Sequence, residues 1–259
     1  MSADDAENVQ GTPTYPSFEE LLQRPGQVLG PNRSEAFQRL VIRLEEPLST
    51  AVSVMNERQD PDAPWEPYCT ETVNGPVWHP ISQELLCNPP ISSIKTKVGS
   101  LSNWEQAWLW VFDDDDLLEP PGDGVYTIWG PPREGEEPDD DETGLSLMYH
   151  QGEHRPPNYD KPLVVTARDK PYLTVHEFLT VIHPYLVARR QDMLGSLIVS
   201  TQYDPALPAD TKLIAGGNIQ TLNVETEENW KDSKRRAIYM RDNMPAPGFT
   251  AVYPTQSIV

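Results

Sequence analysis

Proline decides how long any element of this chain can be. There are 27 prolines in 259 residues, about twice the usual share of roughly 5%, and each one fixes φ and removes a backbone donor, which argues for long irregular connections and against a long helical bundle. Seven of them, Pro61, Pro64, Pro67, Pro76, Pro80, Pro89 and Pro90, fall in one stretch of the first hundred residues. That stretch is expected to lack regular structure and to fold over the domain as a loop, with Trp65, Tyr68 and Trp78 as aromatic anchors. Leu, Ile, Val and Phe together stand just above the level of roughly 20% below which a charged chain stays disordered, so a buried core is expected.

The charge is as unevenly placed as the proline. Forty acidic residues against 20 basic ones give a formal net charge of −20, and between Glu105 and Glu142 only Arg133 opposes 14 carboxylates. Within that stretch GPPREGEEPDDDETG, residues 130–144, has almost nothing apolar and reads as an exposed, disordered acidic insertion. Such a chain repels phosphate backbones and anionic lipid, so neither nucleic acid nor a membrane is expected as its partner; a protein with a basic surface is. The basic residues Lys231, Lys234, Arg235, Arg236 and Arg241 spread around a helix circumference and read as a solvated face. The start MSADDAENVQ lacks the basic residues and apolar run of a secretory signal, and no window approaches the roughly 18 apolar residues of a membrane span. The expected location is therefore intracellular, cytoplasmic or nuclear. Cys69 and Cys87 fit a reducing compartment as small buried side chains, with a bridge between them left open.

Residues 1–30 read as a flexible acidic arm with a helical turn at Phe18, Leu21 and Leu22. The run from Phe37 to Leu44 suits a helix or a strand. Ile94, Thr96 and Val98 alternate with two lysines, as in a half-buried strand. Trp108, Trp110 and Phe112 alternate with Leu109 and Val111, which predicts a strand covered on both faces, its two tryptophans in the core. Val125 to Trp129, Leu145 to Tyr149 and Leu163 to Ala167 predict further strands. Thr174-Val175-His176-Glu177 has the form of a capping box and opens an amphipathic helix that Pro184 is expected to kink or divide after His183. Lys212 to Val224 predicts a hairpin around Gly216-Gly217-Asn218, followed by a last helix from about Thr226. The fold class is thus α+β: a mainly antiparallel sheet of four to six strands with two or three helices packed on it, long Pro-rich loops, and a single domain over residues 31–259.

Specific catalytic signatures are missing from the chain. It has no phosphate loop, no dinucleotide fingerprint and no nucleophile elbow. His176-Glu177 begins a zinc-protease pattern, but Thr180 stands where the second histidine is required. His176 and His183, seven residues apart, face one side of the helix without a third or fourth ligand nearby. A calcium loop starting at Asp139, with Asp141, Thr143 and Gly144, fails at His150, where a bidentate Glu should close it. No metal or cofactor is expected. The sequence reads as a non-enzymatic interaction or adaptor protein, its acidic insertion meeting a basic partner and Trp65, Trp78 and Trp129 supplying the partner-binding anchors. The alternative is an enzyme or small-ligand binder with a pocket beside the 174–199 helix, built on His176, Glu177 and His183.

The order of PPISSIKTKV, the expected Trp104 to Phe112 strand, KPLVVTARDKPYLTVHEFLTVIHPYL and then the Lys212 to Trp230 stretch resembles a group of uncharacterised fungal proteins. In these a strand pair leads, through a variable insertion, to a Thr-Val-x-x-hydrophobic helix carrying a His-Pro step. The resemblance covers about half the chain and implies a fungal intracellular protein. It implies no activity, and no functional residue follows from it.

Overall fold

The computed structural model describes residues 15–24, 31–45, 47–112, 127–150, 152–159, 161–201 and 207–243. Most elements are short. In chain order they are α1 (Phe18–Leu22), β1 (Asn32–Arg33), α2 (Glu35–Gln38), β2 (Leu40–Arg43), α3 (Leu48–Ala51), β3 (Val52–Val54), β4 (Glu66–Pro67), β5 (Cys69–Thr72) and β6 (Gly75–Trp78). A 3-10 turn at Pro80–Gln83 is followed by β7 (Cys87–Asn88), β8 (Ser93–Val98), α4 (Gly99–Ser102), α5 (Trp104–Phe112), β9 (Thr127–Gly130), β10 (Ser146–His150) and β11 (Glu153–His154). The last third holds β12 (Leu163–Thr166), α6 (Val175–Ala188), α7 (Arg190–Thr201), β13 (Leu213–Gly217), β14 (Thr221–Thr226) and α8 (Glu227–Asn243).

The main sheet has seven strands in the order β12-β8-β14-β13-β2-β3-β4, all pairs antiparallel except β14 with β8. The α+β class stands, but the sheet is larger than the four to six strands expected, and among the described residues four helices of nine residues or more accompany it. Strand β2 explains part of the excess. Its residues are buried without alternation, because Leu40 and Ile42 join the core with Phe178, Leu179 and Ile182 of α6, while Val41 packs with Met55, Ile214 and Trp230 of α8 in a second cluster. A strand covered on both faces reads as a continuous apolar run, so its period is hidden. In β8, where Ile94, Thr96 and Val98 are buried between more open residues, the expected alternation holds; the Thr96 hydroxyl donates to the Ile219 carbonyl at 2.9 Å.

The capping box at α6 forms as its residue types require. The Thr174 hydroxyl accepts from the Glu177 amide at 3.2 Å and the Glu177 carboxylate accepts from the Thr174 amide at 3.0 Å. Pro184 does not divide the helix after His183. Pro184 and Thr180, whose carbonyl it leaves without a donor, both lie on the exposed side, where water can replace the missing bond. The break comes at Arg189, between α6 and α7.

Three other expectations are corrected. The Trp104–Phe112 segment is a helix, not a strand: Trp108 is 1% exposed and Trp110 is 79% exposed, opposite sides at helical spacing, while Trp104 packs on the main core that holds Leu101. The proline-rich stretch holds a hairpin, β5 with β6, closed by Val73-Asn74 before Gly75, whose φ of +104° suits glycine alone. In the expected N-terminal arm, α1 has its own capping box at Ser17 and Glu20, and Phe18 and Leu21 are buried in the main core. The other residues of that arm, 1–14 and 25–30, lie outside the described residues. The hairpin of β13 with β14 and the N-cap of α8 at Thr226 stand where the sequence places them. Cys69 and Cys87 are free and buried. Among the described residues no helix is long and apolar enough to cross a membrane.

Candidate functional site

The three residues proposed for a pocket beside α6 are each committed to the fold. Glu177 accepts from the amides of Arg168 at 2.7 Å, Asp169 at 3.0 Å and Thr174, and from the Thr174 hydroxyl at 2.9 Å. Burial alone raises a carboxyl, but here these amide and hydroxyl donors outweigh it and hold Glu177 below the ordinary range. His183 is buried, its Nε2 3.2 Å from the Arg43 carbonyl. His176 is half-buried, with Nδ1 3.1 Å from the Tyr68 hydroxyl and its ring 4.5 Å from that of Trp78; burial pushes the imidazole below its usual value against the pull of Glu177 and Asp169. Cavities of about 780, 380 and 340 Å³ are lined by other residues. Among the described residues no group of three or more His, Cys, Asp and Glu is placed to hold a metal ion.

The tryptophans separate. Trp78 covers Tyr68 and His176, so the structure joins one expected anchor to one expected pocket residue. Trp65 is half-buried, edge-on to Trp230 at 6.1 Å, with the Arg43 guanidinium and the Lys231 ammonium over its ring at 5.0 and 5.4 Å. It clamps α8 to the sheet. Trp129, on β9, is 41% exposed, and its neighbour Ile128 is 45% exposed.

Strand β9 is the outer strand of a three-stranded sheet ordered β11-β10-β9. Its pairing with β10 is interrupted at Met148 by a bulge between Leu147 and Tyr149. Successive side chains of a strand point to opposite faces, so the exposure of both Ile128 and Trp129 leaves apolar surface on each side of an edge that has no further strand among the described residues. The acidic insertion follows directly. Its first part is tied down: Arg133 meets Glu105 at 2.7 Å and the Pro156 carbonyl at 2.6 Å, while Arg155 meets Glu105 at 2.5 Å and Asp139 at 2.6 Å. Asp140 accepts from the Glu142 amide and the Thr143 hydroxyl, closing the turn on itself. Glu134, Glu137, Asp141 and Glu142 remain exposed, without an ion-pair partner among the described residues. Sequence reasoning found Trp129 and the carboxylates. It missed Glu105 and Arg155 as their tether, because neither lies within the insertion.

Compared with known proteins, the chain matches no family model, no curated protein and no solved structure.

Proposed function

We propose that this chain is an interaction protein that takes a basic, extended segment of a partner protein onto the outer edge of its three-stranded sheet. The observation that carries this reading is the combination on one strand: β9 is an edge with Ile128 and Trp129 both exposed, and it runs straight into a loop with four uncommitted carboxylates. An open edge offers main-chain hydrogen bonds to an added strand, and alternate side chains of that strand find the apolar residues. The carboxylates select basic residues and speed the encounter, while Trp129 holds the complex once formed.

The test uses a synthetic peptide of alternating Lys and Val, with an alternating Glu and Val peptide as control. Amide exchange at residues 127–130 should slow in the presence of the Lys peptide and not the Glu peptide. The effect should weaken as salt rises, since at physiological ionic strength exposed charges are already screened over about 8 Å. Trp129→Ala should speed dissociation, and changing Glu134, Glu137, Asp141 and Glu142 to Ser should slow association. Equal protection by both peptides, or none by either, overturns the reading.

A further inference from the structure

A second feature, remote from the small sheet in the chain, has a different chemistry. Helix α8 carries five basic residues that the sequence presents as one solvated face, and the structure sorts them. Lys231 pairs with Glu227 at 2.7 Å and Arg235 forks onto Asp62 at 2.6 and 2.8 Å. Lys234 turns inward, its ammonium 3.3 Å from both the Gln38 carbonyl and the Gln59 side-chain oxygen, over the Trp230 ring at 5.6 Å. An ammonium has three N–H donors, so one is left without a partner among the described residues. Gln59, which supplies one acceptor, has a φ of +57°, an uncommon conformation for a side chain of its size.

Lys234 lines a cavity of about 340 Å³ together with Arg33, Phe37, Leu40, Trp230 and the backbone of Gly217. Arg33 spends one donor on the Gly217 carbonyl at 2.7 Å and keeps the rest of its five N–H groups. Two cations therefore face one half-apolar space, with Glu225 as the single carboxylate lining it among the described residues. Burial first, and then the Arg33 charge, bring the Lys234 ammonium down to about 8 against the opposing pull of Glu225; Arg33 itself is exposed. A lysine that only covered apolar surface would extend its head to water. This one is half-buried and turned toward the Gln38 carbonyl and the Gln59 side chain, at an electrostatic cost that a bound anion would relieve.

We propose that this cavity binds a small organic carboxylate, the anion lying between Arg33 and Lys234 and the apolar body against Phe37, Leu40 and Trp230. A guanidinium presents the planar donor pair that a carboxylate matches. The volume stands at the lower end of the range for small-molecule sites, about 300 Å³ and upward, and the mixture of apolar wall and few polar groups is that of such sites.

The test uses the full chain and hexanoate, with hexanol, hexylamine and inorganic phosphate as controls. N-hydroxysuccinimidyl acetate labels free amines, and peptide mass spectrometry reads each lysine separately. Hexanoate should slow the labelling of Lys234 in a saturable way and leave Lys231 unchanged, and none of the three controls should do so. By calorimetry, Lys234→Met and Arg33→Met should each weaken hexanoate about tenfold or more, the worth of a hydrogen bond to a charged group, and wild-type affinity should fall as pH rises through about 8. Protection by hexanol equal to that by hexanoate would make the cavity merely apolar, and equal protection by phosphate would make it a site for charge alone. Either result, or no saturable protection of the wild-type chain, overturns the proposal whatever the variants do.

Discussion

Phe178 on α6 and Arg155 beside β11 are both nearly sealed from solvent, at 0% and 7% exposure, yet they are held by opposite means. Phe178 lies edge-on to Phe37 at 5.6 Å among Leu40, Ile42 and Leu179; its neighbourhood contributes by keeping apolar area from water. Arg155 has three carboxylates, Glu105, Asp139 and, at 3.9 Å, Glu136, and among the described residues it belongs to neither apolar cluster. Leu147 is the one fully buried apolar residue on the three strands of that small sheet, and the sheet is fastened to α5 through Glu105. The large sheet is thus fixed by burial, which any apolar residue of the right shape can supply. The small sheet is fixed by named pairs. A region of the second kind can stay polar and open at its edge, which is what a binding surface needs.

The sharpest way to break this contrast is to remove one residue from each side. Phe178→Ala should cost about 4 kcal/mol, the range for emptying a fully buried aromatic site, and every probe of unfolding should shift with it. Arg155→Met should cost about 3 kcal/mol, the low end for breaking a buried pair, because Arg133 still meets Glu105. Its effect should be local: amide exchange at residues 146–150 speeds up while that of residues 93–98 holds. If exchange rises equally in both sheets, they are one cooperative unit and the contrast is lost. Thr174→Ala should destabilise the fold by about 1 kcal/mol, read from the shift of the denaturant midpoint, as one lost N-cap acceptor. The smallest effect is with pH. Because Glu177 sits below its ordinary value in the folded state, its contribution is present above that ordinary value and is lost as pH falls through the lowered one. The acid side of the stability curve should therefore be flatter in Glu177→Gln than in wild type.

Where one physical signal dominated, the sequence was readable. Thr174 and Glu177 announce a helix start because only that residue spacing satisfies two free amides at once. Gly217, with φ of +84°, marks the β13 and β14 hairpin for a reason equally local. Trp104 to Phe112 was not readable by alternation, since a run in which nearly every residue is apolar has no period to measure. The hairpin of β5 and β6 was hidden by Pro76, which sits in a strand exposed on both sides of the ladder, where a missing donor is tolerated. Lys234 was beyond reach for another reason. Its neighbours Arg33 and Gln59 lie far away in sequence, and nothing in α8 distinguishes an inward lysine from the outward ones around it.

The parallel pairing of β14 with β8 has a consequence for how the chain is assembled. Thr221 and Leu222 pair with Lys97 and Val98, and on the far side Ile214 and Ala215 pair with Arg43 and Ile42. The hairpin of residues 213–226 is therefore a wedge between two earlier pieces of sheet, β12 with β8 and β2 with β3. As a ribosome delivers the chain, both pieces emerge first, each with one backbone edge facing nothing. Contacts so distant in sequence form slowly, and open edges invite other chains to pair with them. Until the wedge arrives, the edges it will cover, on β8 and β2, are places where copies of the chain can pair with one another.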